Sequence, residues 1–350
     1  MLTSLETPAL LLDLPMMERN LARMAVFFEG RPARLRPHYK NHKCPMLAHR
    51  QLAAGAIGIT CATLREADAL IRHGITNILI ANEIAGALKI RHFVELTRRA
   101  DVILAIDNPE TVCELAAAAK AQRVIPNVVV DIDVGQGRCG VQPGEPALAL
   151  ARQAIESGLG FRGLMGHEGH AGRLQPGPDK ERVVCRAMEK LTASSSLIRA
   201  NGIAVEIVSA GKTGTYSLSG RYPGVTEIQA GSYLVMDTGY QTVCPDFDLA
   251  LSVLTTVISR TGNERIIVDA GLKSISAERG MPTLRCPGGA RLRKLNAEHG
   301  TIDILDPGLP VAVGDQIEIW AHYSDGTINL HERMYGVRNG CVEEILPLEG

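Results

Sequence analysis

Aromatic residues are scarce. Five Phe, seven Tyr and one Trp in 350 residues leave the core to be built from aliphatic side chains. Net charge is almost absent too, because 37 basic and 38 acidic residues, scattered along the chain, balance to −1. That excludes a basic nucleic-acid face. No apolar run approaches the ~18 residues of a membrane span, and the start MLTSLETPALLLDL lacks the basic n-region and long apolar core of a secretory signal. A cytoplasmic chain without membrane or nucleic-acid partners is the expectation. The eight cysteines include no pair at CxxC spacing, so reduced thiols are expected in place of a disulfide framework or structural zinc. Cys61, Cys113, Cys139 and Cys185 lie in apolar surroundings and read as small core residues.

What the chain does have is alternation of strand-like and helix-like segments. Ala9–Leu14 reads as a short strand and Met16–Glu29 as an amphipathic helix. Eight more strands follow at Ala33–Tyr39, Ile57–Thr63, Asn77–Asn82, Asp101–Asp107, Asn127–Val134, Phe161–His167, Glu206–Ala210 and Glu227–Ser232. Helical patterns separate them, such as Leu64–Gly74 with its closing glycine. Runs such as Val102-Ile-Leu-Ala look buried on both faces, so the expected fold is α/β, a (β/α)8 TIM-type barrel. From about Leu249 the helical period fades. Val253–Ser259, Arg265–Asp269, Gln316–Ala321, Glu332–Val337 and Val342–Leu346 alternate between turn residues, which predicts a C-terminal antiparallel β domain. The expected division is a barrel over 15–245 and a β domain over 246–350 joined by the strand within 1–14.

Polar clusters fall at the predicted C-terminal strand ends, where such barrels gather ligands. Arg36-Pro37-His38-Tyr39-Lys40-Asn41-His42-Lys43 places Lys40 at a strand end, where partial desolvation favours a neutral amine able to form a Schiff base. His38 shares its side of the strand if the strand continues, whereas Lys43 is expected in solvent. In Asp131-Ile-Asp133-Val-Gly135-Gln-Gly137-Arg138-Cys139-Gly140 the glycines permit a tight turn, and Arg138 is either part of that turn or a permanent planar donor aimed into the mouth. Gly166-His167-Glu168-Gly169-His170 is no HExxH helix, since its histidines are three apart. His167 suits stacking on an aromatic ligand, and His170 is either a proton carrier or a surface residue. Ser209-Ala-Gly211-Lys212-Thr213-Gly214-Thr215 reads as a phosphate-holding turn. Gln229-Ala-Gly231-Ser232-Tyr233 offers a second wall. In the β domain, His322-Tyr-Ser-Asp325 is either a polar turn or the donor set of a divalent ion, Mn²⁺, Mg²⁺ or Zn²⁺.

Together these stretches, with Thr7-Pro8-Ala9, Cys61-Ala62-Thr63 and Glu66-Ala67, resemble the D-threonine aldolase and eukaryotic-type D-serine dehydratase family of fold type III pyridoxal-phosphate enzymes. The resemblance implies that Lys40 bears the cofactor, that Thr213, Gly214, Thr215, Gly231, Ser232 and Tyr233 hold it with His38, and that Arg138 and His167 meet its ring. It also implies a divalent metal on His322 and Asp325, with Ser324 at the strictly matched second place. His170 is expected to act on the substrate. A homodimer that cleaves a D-3-hydroxy-α-amino acid to a small amino acid plus an aldehyde is the implied activity. Dehydration of D-serine or D-threo-3-hydroxyaspartate is the alternative, and racemisation or non-catalytic carriage of the cofactor are remote ones.

Overall fold

Short apolar segments rich in Val, Ile and Leu form the parallel strands of the computed structural model, which describes residues 2–286 and 288–350. In chain order the strands are β1 (Ala9–Asp13), β2 (Arg34–Leu35), β3 (Ile59–Cys61), β4 (Asn77–Ile80), β5 (Asp101–Ile106), β6 (Asn127–Asp131), β7 (Gly160–Met165), β8 (Ile207–Ala210) and β9 (Glu227–Ile228). Strands β2 to β9 make one sheet in the order β2-β9-β8-β7-β6-β5-β4-β3, and every pairing in it is parallel. A lone parallel bridge between His38 and Thr60 joins the two ends of that order. The barrel is thus closed beyond the short β2.

Its interior is aliphatic, as the shortage of aromatics required. Leu79, Ile103, Ala105, Val129, Met165 and Ile207 form a single buried cluster. The seam is tied by a buried ion pair: Arg36 Nε lies 3.0 Å from both carboxylate oxygens of Glu227, and its Nη1 donates to Asn77 Oδ1 at 2.6 Å. Helices between the strands begin at caps that the sequence supplies. Thr63 accepts from Glu66 N at 3.1 Å ahead of Leu64–Arg72, and Asn108 accepts from Thr111 N at 2.8 Å ahead of Pro109–Gln122. Among the described residues no helix is long and apolar enough to cross a membrane.

The second architecture uses β1 together with β10 (Leu251–Thr261), β11 (Arg265–Val268), β12 (Thr283–Cys286), β13 (Ala290–Leu295), β14 (Gly300–Ile304), β15 (Gln316–Trp320), β16 (Arg333–Arg338) and β17 (Cys341–Pro347). Nine strands form this sheet. It is mixed and not purely antiparallel, because β1 pairs antiparallel with β10 and parallel with β16. The chain divides into two compact units, one of Met1–Arg23, Asn41–Cys44 and Ser232–Glu349, the other of Met24–Lys40 and Pro45–Gly231.

Three strands, β12, β13 and β14, stand where the sequence had shown no alternation. β13 carries charged residues on an exposed face, which hides the period, and β14 is buried at four of its five positions and so does not alternate. Cys61 is buried as expected, but Cys113 and Cys185 are exposed on helices and Cys139 is half-buried. An apolar neighbourhood in sequence does not fix which face of a helix a residue occupies.

Candidate active site

Lys40 lies just beyond a strand, not on one. β2 ends at Leu35, and Tyr39–Asn41 is a single 3-10 turn that exposes the lysine above a fully buried Tyr39. Strand alternation therefore does not relate His38 to Lys40. The His38 ring is buried and its Nδ1 accepts the Lys40 amide at 3.4 Å, so it braces the turn. Lys43 is half-buried, with a left-handed φ of 48°, and its Nζ donates to Asn329 Oδ1 at 2.6 Å in a solvent-exposed hydrogen bond.

Three cations gather round one imidazole at the strand ends of the barrel. Burial above all, then the charges of Lys212, Lys40 and Arg138, push His167 down to about 3. The ring is therefore neutral at physiological pH and offers an uncharged flat face, while Gly211 backbone is its hydrogen-bond partner. Arg138 stands on a loop shaped by Asp133, whose Oδ1 accepts from Gly135 N at 2.9 Å and Gly137 N at 3.0 Å. The amides of Gly137 and its neighbours hold that carboxyl below its usual range. Gly140 has φ 100°, and a Cβ there would lie 2.5 Å from Asp133 N. The glycines make the turn, and the turn carries an exposed Arg138. His170 is exposed with its ring against Gly135.

Behind Arg138 sits a carboxylate group. Burial first, and the charge and hydrogen bond of Glu83 next, push Asp131 up to about 8, so this pair holds a proton at neutral pH. Ligand atoms of Glu83, Asp107 and Cys139 lie within 4.8 Å of one another beside it.

The turn after β8 is built for close backbone approach. A Cβ on Gly214 would lie 2.0 Å from Gly172 O, and one on Gly231 would lie 2.6 Å from His38 O. Among the described residues neither Gly214 nor Gly231 has an acceptor for its amide hydrogen. Two free amides at positions where only glycine fits match the needs of a phosphate. Thr213 is buried beside them. The Thr215 hydroxyl has a different task from the one expected, since it donates to Glu168 Oε1 at 2.6 Å and accepts from Lys212 N at 3.2 Å. It shapes the turn from within.

In the other unit, Ser232 is buried, and the Tyr233 ring is fully buried with its centroid 5.6 Å from that of Phe247. Tyr233 is thus part of that unit's packing. The His322–Asp325 turn has its own frame. His322 Nδ1 is 2.9 Å from Thr238 Oγ1, which leaves Nε2 as its ligand atom. Asp325 Oδ2 accepts from Asn41 Nδ2 at 3.0 Å. Ser324, at the strictly matched place, is fully buried: its hydroxyl donates to Asp237 Oδ2 and accepts from Asn41, each at 2.9 Å. It is not available as a ligand. An imidazole nitrogen plus a carboxyl oxygen is a donor set that suits Mn²⁺ or Zn²⁺, with waters completing the shell.

Comparison with known proteins decides the family. The alanine racemase N-terminal domain profile matches residues 12–239, and the serine dehydratase domain profile matches residues 250–337. The chain belongs to the fold type III pyridoxal-phosphate enzymes. Within them it is similar to a D-threonine aldolase of Arthrobacter sp, 37% identical over 98% of this chain and 92% of that one. The crystal structure of D-threonine aldolase from Filomicrobium marinum superposes with a TM-score of 0.96 at 35% identity, covering 99% of this chain and 96% of the other. D-threo-3-hydroxyaspartate dehydratase from Delftia sp. HT23 gives 0.93 at 30% identity, covering 99% and 98%.

Two residues of this fold type III site escaped the sequence reading. In the sequence Lys212 shows only its place in the glycine turn, yet its charge acts on His167 ahead of those of Lys40 and Arg138, and its side chain lies over Gly172. In the sequence Glu168 reads only as part of a false zinc motif. A glutamate between two histidines carries no spacing signal of its own.

Proposed function

We propose that this enzyme is a lyase that cleaves D-3-hydroxy-α-amino acids of the D-threonine kind to glycine, or another small amino acid, plus an aldehyde. The observation that carries the reading is the gathering of Lys40, Arg138 and Lys212 around a neutral His167, beside a glycine turn with free amides. Similarity to D-threonine aldolases over nearly the whole chain supports the same reaction.

When bound, pyridoxal phosphate supplies the electron sink for Cα–Cβ cleavage, and a divalent ion supplies Lewis acidity toward the substrate hydroxyl. The chain's own residues do the rest. Lys40 presents its amine as the covalent attachment point. His167 gives a flat, uncharged face for the ring. Arg138, a permanent cation, donates to an oxygen of the ring or of the substrate carboxylate. Amides at Gly214 and Gly231, with Thr213 beside them, hold the phosphate, and Ser232 follows directly in the chain. His322 and Asp325 hold the metal. His170, exposed and within reach of solvent, carries a proton at a ring nitrogen.

Dehydration is the second reading, favoured by the similarity to D-threo-3-hydroxyaspartate dehydratase. The carboxylate partner of His322 supports the aldolase, since an imidazole with a hard oxygen donor would suit an ion that also takes a hydroxyl oxygen as ligand. Incubation of holoenzyme with D-threonine and with D-serine tests this. Glycine with acetaldehyde from D-threonine is the expected result. Ammonia with 2-oxobutyrate or pyruvate, and no glycine, overturns it. A cytoplasmic homodimer is the form we propose, and sedimentation at enzyme concentrations used in the assay would expose a monomer.

A further inference from the structure

We propose that Glu168 is the positioning residue of the phosphate turn: its buried carboxylate sets the direction of the hydrogen bonds inside Gly211–Thr215 and so aims the turn's spare amide outward. The inference rests on the phosphate reading of that turn given above.

Glu168 is fully buried, and its carboxylate is met by three neutral donors. Oε2 accepts from Gly211 N at 3.0 Å. Oε1 accepts from Thr215 Oγ1 at 2.6 Å and from Ser219 Oγ at 2.5 Å. Among the described residues it has no ion-pair partner. A buried carboxylate is costly unless hydrogen-bonded, so a purely structural network would be served as well by a neutral side chain. What the ionised form adds is that it can only accept.

That one-way character propagates. Both hydroxyls must donate inward, and a charge-assisted bond makes the reversal costly. With its proton committed, Thr215 Oγ1 turns a lone pair to Lys212 N at 3.2 Å, while Thr215 N donates to Lys212 O at 3.0 Å. These two bonds close the turn back on Lys212. Gly214 lies inside the closed loop, and its amide is the donor left over. Glu168 also fixes the other wall. Its carbonyl accepts from Ala171 N at 3.0 Å, which forms the 3-10 turn Gly169–Ala171 and leads into Gly172, on whose carbonyl Gly214 packs.

Glu168→Gln reverses one bond while keeping shape. Its amide nitrogen must face either Gly211 N, donor against donor, or the Thr215 and Ser219 hydroxyls, which would then have to accept. Either way the turn loses its single hydrogen-bond direction.

The test is binding to apoenzyme, read by cofactor absorbance, with pyridoxal 5′-phosphate and with pyridoxal as the two probes. Wild-type protein is expected to prefer the phosphorylated probe strongly. In Glu168→Gln the Kd for pyridoxal 5′-phosphate should rise about tenfold to a hundredfold. The Kd for pyridoxal should stay within about twofold, because only the phosphate contact is altered. A merely structural role would weaken both probes alike. Ser219→Ala, which removes one inward donor and no charge, should shift the same preference by a smaller factor. If Glu168→Gln does not fold, Ser219→Ala decides. An unchanged preference in the variants overturns the role of Glu168 and leaves the phosphate reading standing. A wild-type protein that binds both probes equally overturns the phosphate reading and this inference with it.

Discussion

The turn after β8 and the turn after β15 are both short polar links, yet they are wired in opposite senses. In Gly211–Thr215 the Thr215 hydroxyl and the Gly211 amide are taken inward by Glu168, and the Gly214 amide is left to offer. In His322–Asp325 the neighbours grip the side chains: Thr238 takes His322 Nδ1, Asn41 takes Asp325 Oδ2, and Asp237 and Asn41 take the Ser324 hydroxyl. Side-chain atoms are what remain there. The first wiring, glycines with a hidden acceptor, suits an anion, whereas the second, side chains that other residues hold in register, suits a cation.

The largest effect expected from breaking this contrast lies in the barrel. Lys40→Ala removes the covalent attachment point, so the visible absorbance of the bound cofactor should vanish and turnover should fall on the order of a thousandfold or more. Metal binding, measured by titration of the same variant, should be unchanged. Should the absorbance survive in Lys40→Ala, another lysine bears the cofactor, with Lys212 the nearest candidate.

A smaller effect sharpens the other side. Asp325→Ala removes a ligand and should weaken Mn²⁺ binding by about a hundredfold, while Ser324→Ala only loosens the frame between Asp237 and Asn41 and should cost about tenfold. Isothermal titration of the metal into each apo variant gives the ranking. The reverse ranking would make the residue at position 324 the ligand place despite its burial. In neither variant should the preference for pyridoxal 5′-phosphate over pyridoxal change.

This contrast also explains what was legible in the sequence. Strands β4, β5 and β6 were visible because parallel strands buried on both faces are nearly unbroken aliphatic runs, and the glycine turn after Ala210 was visible because close approach demands glycine. His322 and Asp325 were recognisable by type. Their holders were not: Asn41 and Thr238 lie far off in the chain, and nothing in their spacing points to a turn near residue 322. Glu168 was hidden for the same reason, since its function depends on donors 43 to 51 positions away. The parallel partnership of β1 with β16 was equally out of reach of a local pattern, which shows alternation but not direction.

A further effect, read in stability and not in binding, concerns the proton held behind Arg138. Asp131 ends β6 in a buried position, and desolvation with the Glu83 charge raises it from 3.8 to about 8. From pH 3.8 up to about 8 the folded chain therefore keeps a proton that the unfolded chain has released. The sign follows: stability from this pair is complete below the lower value and is lost as pH rises toward the upper one. Asp131→Asn is neutral at every pH and should flatten the decline of apoenzyme melting temperature across that window by about one proton's worth. Because the two carboxyls titrate together, the outcome also assigns the proton. A variant that keeps the wild-type slope would put it on Glu83, and Glu83→Gln should then be the substitution that flattens the curve.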